Sequence, residues 1–233
     1  LGVSYSAKKP VVDRMLEALP GTLALSGTAL VFTILYALPA GILSAYNRNK
    51  WIDYVLRSLS FIGVSMPSFW LGLVLIYIFG LKLGLVPIAS SRVTATGVIL
   101  PAVTLAVVVG SKYMRQVRLV ILEEMQKDYV IGARARGVSE MKILFGHILP
   151  NAVLPLITIL GVLIGWLLGG VAVVEMVFSW PGLGNMAIYA ITMRDYPLIE
   201  GFVLWVAIAY MCINALVDAS YVLLDPRLKR ERA

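Results

Sequence analysis

The chain has 233 residues, 60% of them apolar and only 14% charged, with a mean hydropathy of +0.87. Soluble domains carry about 25% charge and about 45–50% apolar residues, so this composition excludes a soluble globular fold and points to a membrane protein. One cysteine (Cys212) excludes an internal disulfide framework, one histidine (His147) excludes a multi-histidine metal site, and neither a metal nor a cofactor is expected.

Charged residues are absent from five long stretches: 18–47, 58–81, 93–111, 143–174 and 201–217. A transmembrane helix needs about 20 mostly apolar residues, and backbone amides in lipid must bond within the segment. Helical spans are therefore expected near 21–46, 57–81, 97–119, 150–174 and 200–224, making an all-α, polytopic helical bundle. Pro39, Pro67, Pro101 and Pro155 can kink these helices. Lys112, Arg115 and Arg118, three apart near one end of the third span, read as snorkelling anchors, with a gating role as the other reading. On the fourth span Gly161, Gly165 and Gly169 form G-x3-G-x3-G, with Gly170 adjacent, a pattern that lets helix backbones approach closely. Asp218 lies inside the last span one turn after Asn214, and a charge there is expected to pair or to function.

Lys and Arg collect on the cytoplasmic side, and 14 of the 20 fall in one alternating set of loops, which includes 120–149 and the tail 225–233. The C-terminus is then cytoplasmic and residues 1–20 external. The sequence opens Leu-Gly-Val without Met, and an external start calls for an earlier span or a signal peptide, so a preceding transmembrane segment is expected. The +7 balance thus becomes a topology signal, and no nucleic-acid partner is expected.

The loop 120–149 carries structure of its own. Met141, Leu144, Phe145 and Ile148 fall on one helical face; Ser139 precedes them as a candidate N-cap, and Gly137 can adopt a positive φ. Such a stripe needs a partner groove or the membrane surface to cover it. After Glu175 comes the turn-rich FSWPGLGNM, followed by Met186, Tyr189, Ala190 and Met193 at helical spacing. It is too short to span, so 175–199 is expected to form an external re-entrant or interfacial hairpin.

Ala133, Gly137, Leu149 and Pro150 match the spacing of the E-A-A-x3-G-x9-I-x-L-P loop of ABC-importer permeases; Ile131, Gly132 and His147 depart from it. DYVIGARARG at 128–137, SMPSFWLG at 65–72, VVEMVFSWPGLGNM at 173–186, RDYPLIEG at 194–201 and NALVDASYVLLDPRLK at 214–229 resemble the dipeptide/oligopeptide/nickel branch of that family. Within it the chain is similar to the subunit with an extra N-terminal span and a large external segment. The resemblance implies half of an ATP-driven import pathway in the lipid bilayer of the cytoplasmic membrane, paired with a second homologous permease, with two ABC ATPase subunits docked on the cytoplasmic loops and an extracytoplasmic substrate-binding protein delivering substrate. It implies that 120–149 is the ATPase-coupling loop: Gly137 makes the turn, Met141, Leu144 and Phe145 fill the ATPase groove, and Arg134, Arg136 and Glu140 set register. It also implies that Glu175, Trp180, Pro181, Gly182 and Gly184 belong to an external gate.

No G-x4-G-K-[ST] phosphate loop occurs, so ATP hydrolysis is expected on a separate subunit and no enzyme activity on this chain. An ion-coupled carrier would call for paired charges at mid-membrane and internal repeats. An intramembrane enzyme would call for H-E-x-x-H, G-x-S-x-G or a similar set, which the sequence lacks. For substrate the expectation is a peptide, with nickel chelates, glutathione and oligosaccharides as alternatives.

Overall fold

The computed structural model describes residues 1–90, 92–169 and 171–224, with side chains to residue 220. Ten helices follow in chain order: α1 Val11–Tyr46, α2 Trp51–Ser65, α3 Ser68–Leu75, α4 Ile99–Glu124, α5 Asp128–Ala135, α6 Glu140–Ile143, α7 Leu149–Leu168, α8 Ala172–Val177, α9 Leu183–Thr192 and α10 Tyr196–Leu224. π-Helical turns extend α3 through Ile76–Lys82 and join α6 to α7 through Leu144–Ile148. Among the described residues the one β feature is an isolated bridge between Val3 and Pro10.

Among the described residues three helices are long and apolar enough to cross a membrane: Val11–Tyr46, Glu140–Leu168 and Tyr196–Ser220. The expected span 57–81 is instead a pair, α2 and α3, bent by 100°. The bend has a local cause. Pro67 pushes the preceding Met66 out of the helical region, to φ −79° and ψ 126°. The third expected span is helical throughout 99–119 and continues to Glu124, but Lys112, Arg115 and Arg118 dilute its hydropathy and it does not meet the same apolar criterion. The tail expected at 225–233 and Gly170 lie outside the described residues.

α1 and α4 share the most extensive interface in the bundle. α1 carries a seam of small buried residues, Thr22, Ser26, Ala29, Thr33, Ala37, Gly41 and Ser44; Gly41 meets α4, whereas Thr22, Ser26 and Ser44 bond to Glu175, the Leu167 carbonyl and Asp53. In lipid, helices associate by close packing rather than by hydrophobic exclusion, and small residues permit it. Gly41 marks the tightest point, where an added Cβ would lie 2.7 Å from Val117 Cβ and 2.8 Å from the Met114 carbonyl oxygen. The glycine row of α7 serves the same purpose toward α10. A Cβ on Gly161 would overlap Val217, one on Gly165 would lie 2.7 Å from the Tyr210 ring, and one on Gly169 would lie 3.5 Å from Val206.

Candidate functional site: an elbow and a capped hairpin

The residues singled out in 120–149 assemble at one end of the bundle. α4 ends at Glu124, whose buried carboxylate accepts hydrogen bonds from Lys127 Nζ at 2.6 Å and Tyr129 Oη at 2.7 Å. The short α5 then buries Val130 and Ala133 in the core that holds Ile121, Ile143 and Leu144. It stops at Gly137, where φ is +77°. Val138 N–H bonds to the Ala133 carbonyl at 3.2 Å and Gly137 N–H to that of Arg134 at 2.9 Å. This is a Schellman closure, which requires the left-handed residue that glycine supplies without a Cβ penalty. Ala133 is buried because Val138 folds back toward it, so the alanine and glycine spaced four apart are the two ends of one turn.

Ser139 stands at the N-cap of α6 with extended backbone, as expected, although its side chain makes no capping hydrogen bond. Arg134 and Glu140 bridge the turn as a two-pronged pair, Nε–Oε1 2.7 Å and Nη2–Oε2 3.1 Å. The hydrogen bonds from Arg134 hold the Glu140 carboxyl below its ordinary range. These two side chains therefore bind each other across the loop, whereas Arg136 enters no ion pair among the described residues.

The apolar stripe is not a single face. Leu144 and Ile148 are buried in a row that continues through Ala152 and Leu156, while Met141 and Phe145 are exposed at 55% and 60%. The reason is continuity: α6 is no free-standing helix but the first turn of a 29-residue helix running into α7, so half of its stripe already packs on the bundle. Leu149 is half-buried, and Pro150 sits where the π-helical turn Leu144–Ile148 gives way to α7.

Nearby, the cations expected to act as anchors behave differently from one another. Arg118 makes a two-pronged pair with the fully buried Asp53, Nε–Oδ1 2.8 Å and Nη2–Oδ2 2.9 Å, joined by Ser44 Oγ donating at 2.6 Å and Asn49 N–H at 3.0 Å. It is a structural tie between α1, α2 and α4 rather than a snorkelling anchor. Arg115 lies over the Phe61 ring at 5.4 Å.

At the opposite end the five hairpin residues converge. α8 carries Glu175 with a fully buried side chain, and no Lys or Arg among the described residues pairs with it. Its Oε1 accepts from Thr22 Oγ1 at 2.9 Å, and Oε2 from Asn185 N–H at 2.8 Å; Gly184 N–H also donates to the carboxylate. Thr22 Oγ1 in turn accepts Leu183 N–H at 2.8 Å. The first three N–H groups of α9 are thus satisfied by side chains from α8 and α1, with a carboxylate at the positive end of the helix dipole. Burial pushes the Glu175 carboxyl up, and these hydrogen bonds partly offset that.

The turn is equally tight. Trp180 is fully buried and donates Nε1–H to the Gly21 carbonyl at 2.8 Å. Its backbone N–H bonds to the Glu175 carbonyl at 2.7 Å, and its own carbonyl accepts from Asn185 Nδ2 at 3.0 Å. A Cβ on Gly182 would overlap the Glu175 carboxylate, and one on Gly184 would lie 2.6 Å from Ala172 Cα. Pro181 presses its carbonyl on the Gly21 position of α1. Three partners were not singled out in the sequence: Gly21, Thr22 and Asn185. Thr22 offers no local signal, because its partner is 153 residues away; Asn185, three residues after Gly182, is the one that spacing alone could have suggested.

Asp218 is exposed on α10 and makes no ion pair among the described residues; the basic residues Arg227, Lys229, Arg230 and Arg232 of the tail lie outside them. No group of three or more potential metal ligands occurs among the described residues.

The helices, the elbow and the hairpin can be set beside known proteins. Residues 37–230 match the family described as binding-protein-dependent transport system inner membrane component. The chain belongs to that family. This permease is 36% identical over 229 residues to the glutathione transport system permease protein GsiC of Escherichia coli O6:H1, covering 98% of this chain and 74% of GsiC. Its fold resembles that of a chain of the MetNI methionine ABC transporter in an inward-facing form, with a TM-score of 0.77 at 20% identity over 93% of this chain and 98% of that one. An amino acid ABC transporter matches with a TM-score of 0.70 at 17% identity over 94% and 98%. The permease is thus a multi-pass membrane component of an ABC importer, dependent on a binding protein, and a transport component rather than itself an enzyme.

Proposed function

We propose that this permease forms half of the import pathway for a small peptide, with glutathione as the alternative that the name of GsiC suggests. ATP would be hydrolysed on two separate ABC ATPase subunits, one of them seated on the elbow 120–149. A second homologous permease would complete the pathway, and an extracytoplasmic binding protein would deliver substrate. Residues 1–20 lie outside in this reading, and the C-terminus lies in the cytoplasm, following the distribution of Lys and Arg.

The observation that carries the coupling role is the exposure of Met141 and Phe145 on an elbow that is otherwise stiff. The Schellman turn at Gly137 and the Arg134–Glu140 pair fix its shape, while Ile143, Leu144 and Ile148 root it in the bundle core. A force applied to Met141 and Phe145 is transmitted along one helix into α7. Rigid elements of this kind support rocking of two packed bundles between inward- and outward-facing states. The hairpin 175–199 serves as part of the external gate, held as one body by Glu175.

The test is affinity purification of the full-length protein from native membranes in mild detergent, with mass spectrometry of its companions. Wild type should bring a second permease and ATPases. Phe145→Asp with Met141→Asp, both at exposed positions, should retain the permease and lose the ATPases. A wild-type chain that purifies without ATPases refutes the coupling role.

A further inference from the structure

Between α4 and α7 a cleft of about 340 Å³ is lined by Lys112, Tyr113, Gln116, Val162 and Trp166, among others. Its position sets it apart from the elbow and the hairpin. Lys112 is thirteen residues from the first residue of α4 and twelve from the last, about 20 and 18 Å along the axis. The side chain is exposed, and so is that of Gln116 one turn on, whereas Tyr113 and Val117 beside them are buried. Of the three cations on this helix, Arg118 is tied to Asp53 and Arg115 lies over Phe61; Lys112 makes no ion pair or hydrogen bond among the described residues.

Lys112 lies about 10 Å along the axis inside the expected cytoplasmic end of its span at residue 119, and a lysine there, turned outward and unpaired, does not suit hydrocarbon. Ionisable groups within membrane segments face a bundle interior or a water-filled cavity, and they mark pathways. α1 packs on the opposite side of α4, where Gly41 meets Met114 and Val117 and Tyr36 meets Gly110. On that basis we infer that the Lys112 cleft faces the aqueous translocation pathway and is a site for the anionic group of the substrate, a carboxylate. Gln116 adds a neutral hydrogen-bonding group one turn along, and Trp166 and Val162 supply an apolar wall for the uncharged part. The inference rests on the import reading above and adds to it the place on this chain that meets the carboxylate of such a solute.

The electrostatic field of this site can be read without knowing the substrate. In the assembled transporter with the exposed Cys212 replaced by Ser, Gln116→Cys is exposed to two water-borne methanethiosulfonates of similar size, one sulfonate-bearing and one trimethylammonium-bearing. With Lys112 present the anionic reagent should react faster relative to the cationic one. Lys112→Gln should lower that rate ratio about tenfold and Lys112→Arg should preserve it. If neither reagent labels Gln116→Cys, the face is covered by lipid or by another chain and the inference is wrong. If labelling proceeds but Lys112→Gln leaves the ratio unchanged, the site has no preference for anions and the inference is equally wrong. Co-purification of the ATPases with each variant, scored separately, reports on the import reading itself.

Discussion

Glu175 shows how much one side chain can organise. It is a buried carboxylate without a cation, stabilised by N–H and O–H donors at the start of α9. Removing it leaves those donors buried and unmatched, which costs about 1–3 kcal/mol per group. Glu175→Ala should therefore lower the thermal unfolding midpoint of the detergent-solubilised protein by several degrees, and Thr22→Val should do so by a smaller amount, because Thr22 both donates to Glu175 and accepts from Leu183. Equal midpoints for wild type and Glu175→Ala would rule out the cap as a structural element. The Asp53–Arg118 pair is a second such point. Breaking a buried pair from one side costs about 3–5 kcal/mol where the charge is left uncompensated; Arg57 Nε, 3.4 Å from Asp53 Oδ1, reduces that cost here, and Arg118→Ala should still destabilise more than Lys112→Ala, measured by the same unfolding. Here the three cations of α4 could be located from sequence but not sorted, since the partners Asp53 and Phe61 lie on another helix.

At the scale of elements, the glycine row of α7 and the bend at Pro67 could be read locally, because both follow from backbone sterics. The small-residue seam of α1 was overlooked, since Thr, Ser and Ala within an apolar stretch carry no periodic contrast. Gly41 provides its test. Gly41→Leu should force α1 from α4 at Val117 and Met114, with overpacking of about 1–3 kcal/mol. The readout is a lower unfolding midpoint, which Gly27→Leu should not reproduce, since nothing lies within 4 Å of that position. The stripe of α6 illustrates the opposite difficulty. Its periodicity was correctly visible, yet a periodicity does not say which neighbour covers it, and Leu144 and Ile148 are covered by the chain itself.

Across the whole molecule, the N-terminal segment is tied to the start of α10. Asp195 Oδ2 accepts from Ser4 Oγ at 2.6 Å, Ser6 N–H at 3.0 Å and Ser6 Oγ at 2.7 Å. Burial would raise this carboxyl, but the hydrogen bonds outweigh it and hold it well below the ordinary carboxylate range. A carboxylate with a depressed folded pKa contributes stability that is present above its unfolded value, about 3.9, and is lost as pH falls through the folded one. The tie should therefore survive mild acid. Hydrogen exchange at residues 3–10, corrected for intrinsic rates, should be alike at pH 7 and pH 5, and Asp195→Asn should quicken it about tenfold at both. Faster corrected exchange in the wild type at pH 5 would contradict the assignment.

The sequence by itself determined that the chain is a membrane helical bundle, that an elbow turns at Gly137, and that a turn and a short helix follow Glu175. Each of these depends on hydropathy over a contiguous stretch or on the backbone of a few adjacent residues. Only the tertiary structure decided which charge meets which partner, which half of the α6 stripe is already buried, and that Glu175 caps a helix rather than pairing with a cation. Those outcomes depend on groups up to 191 residues apart in the chain, and distance through space is not written in any local pattern.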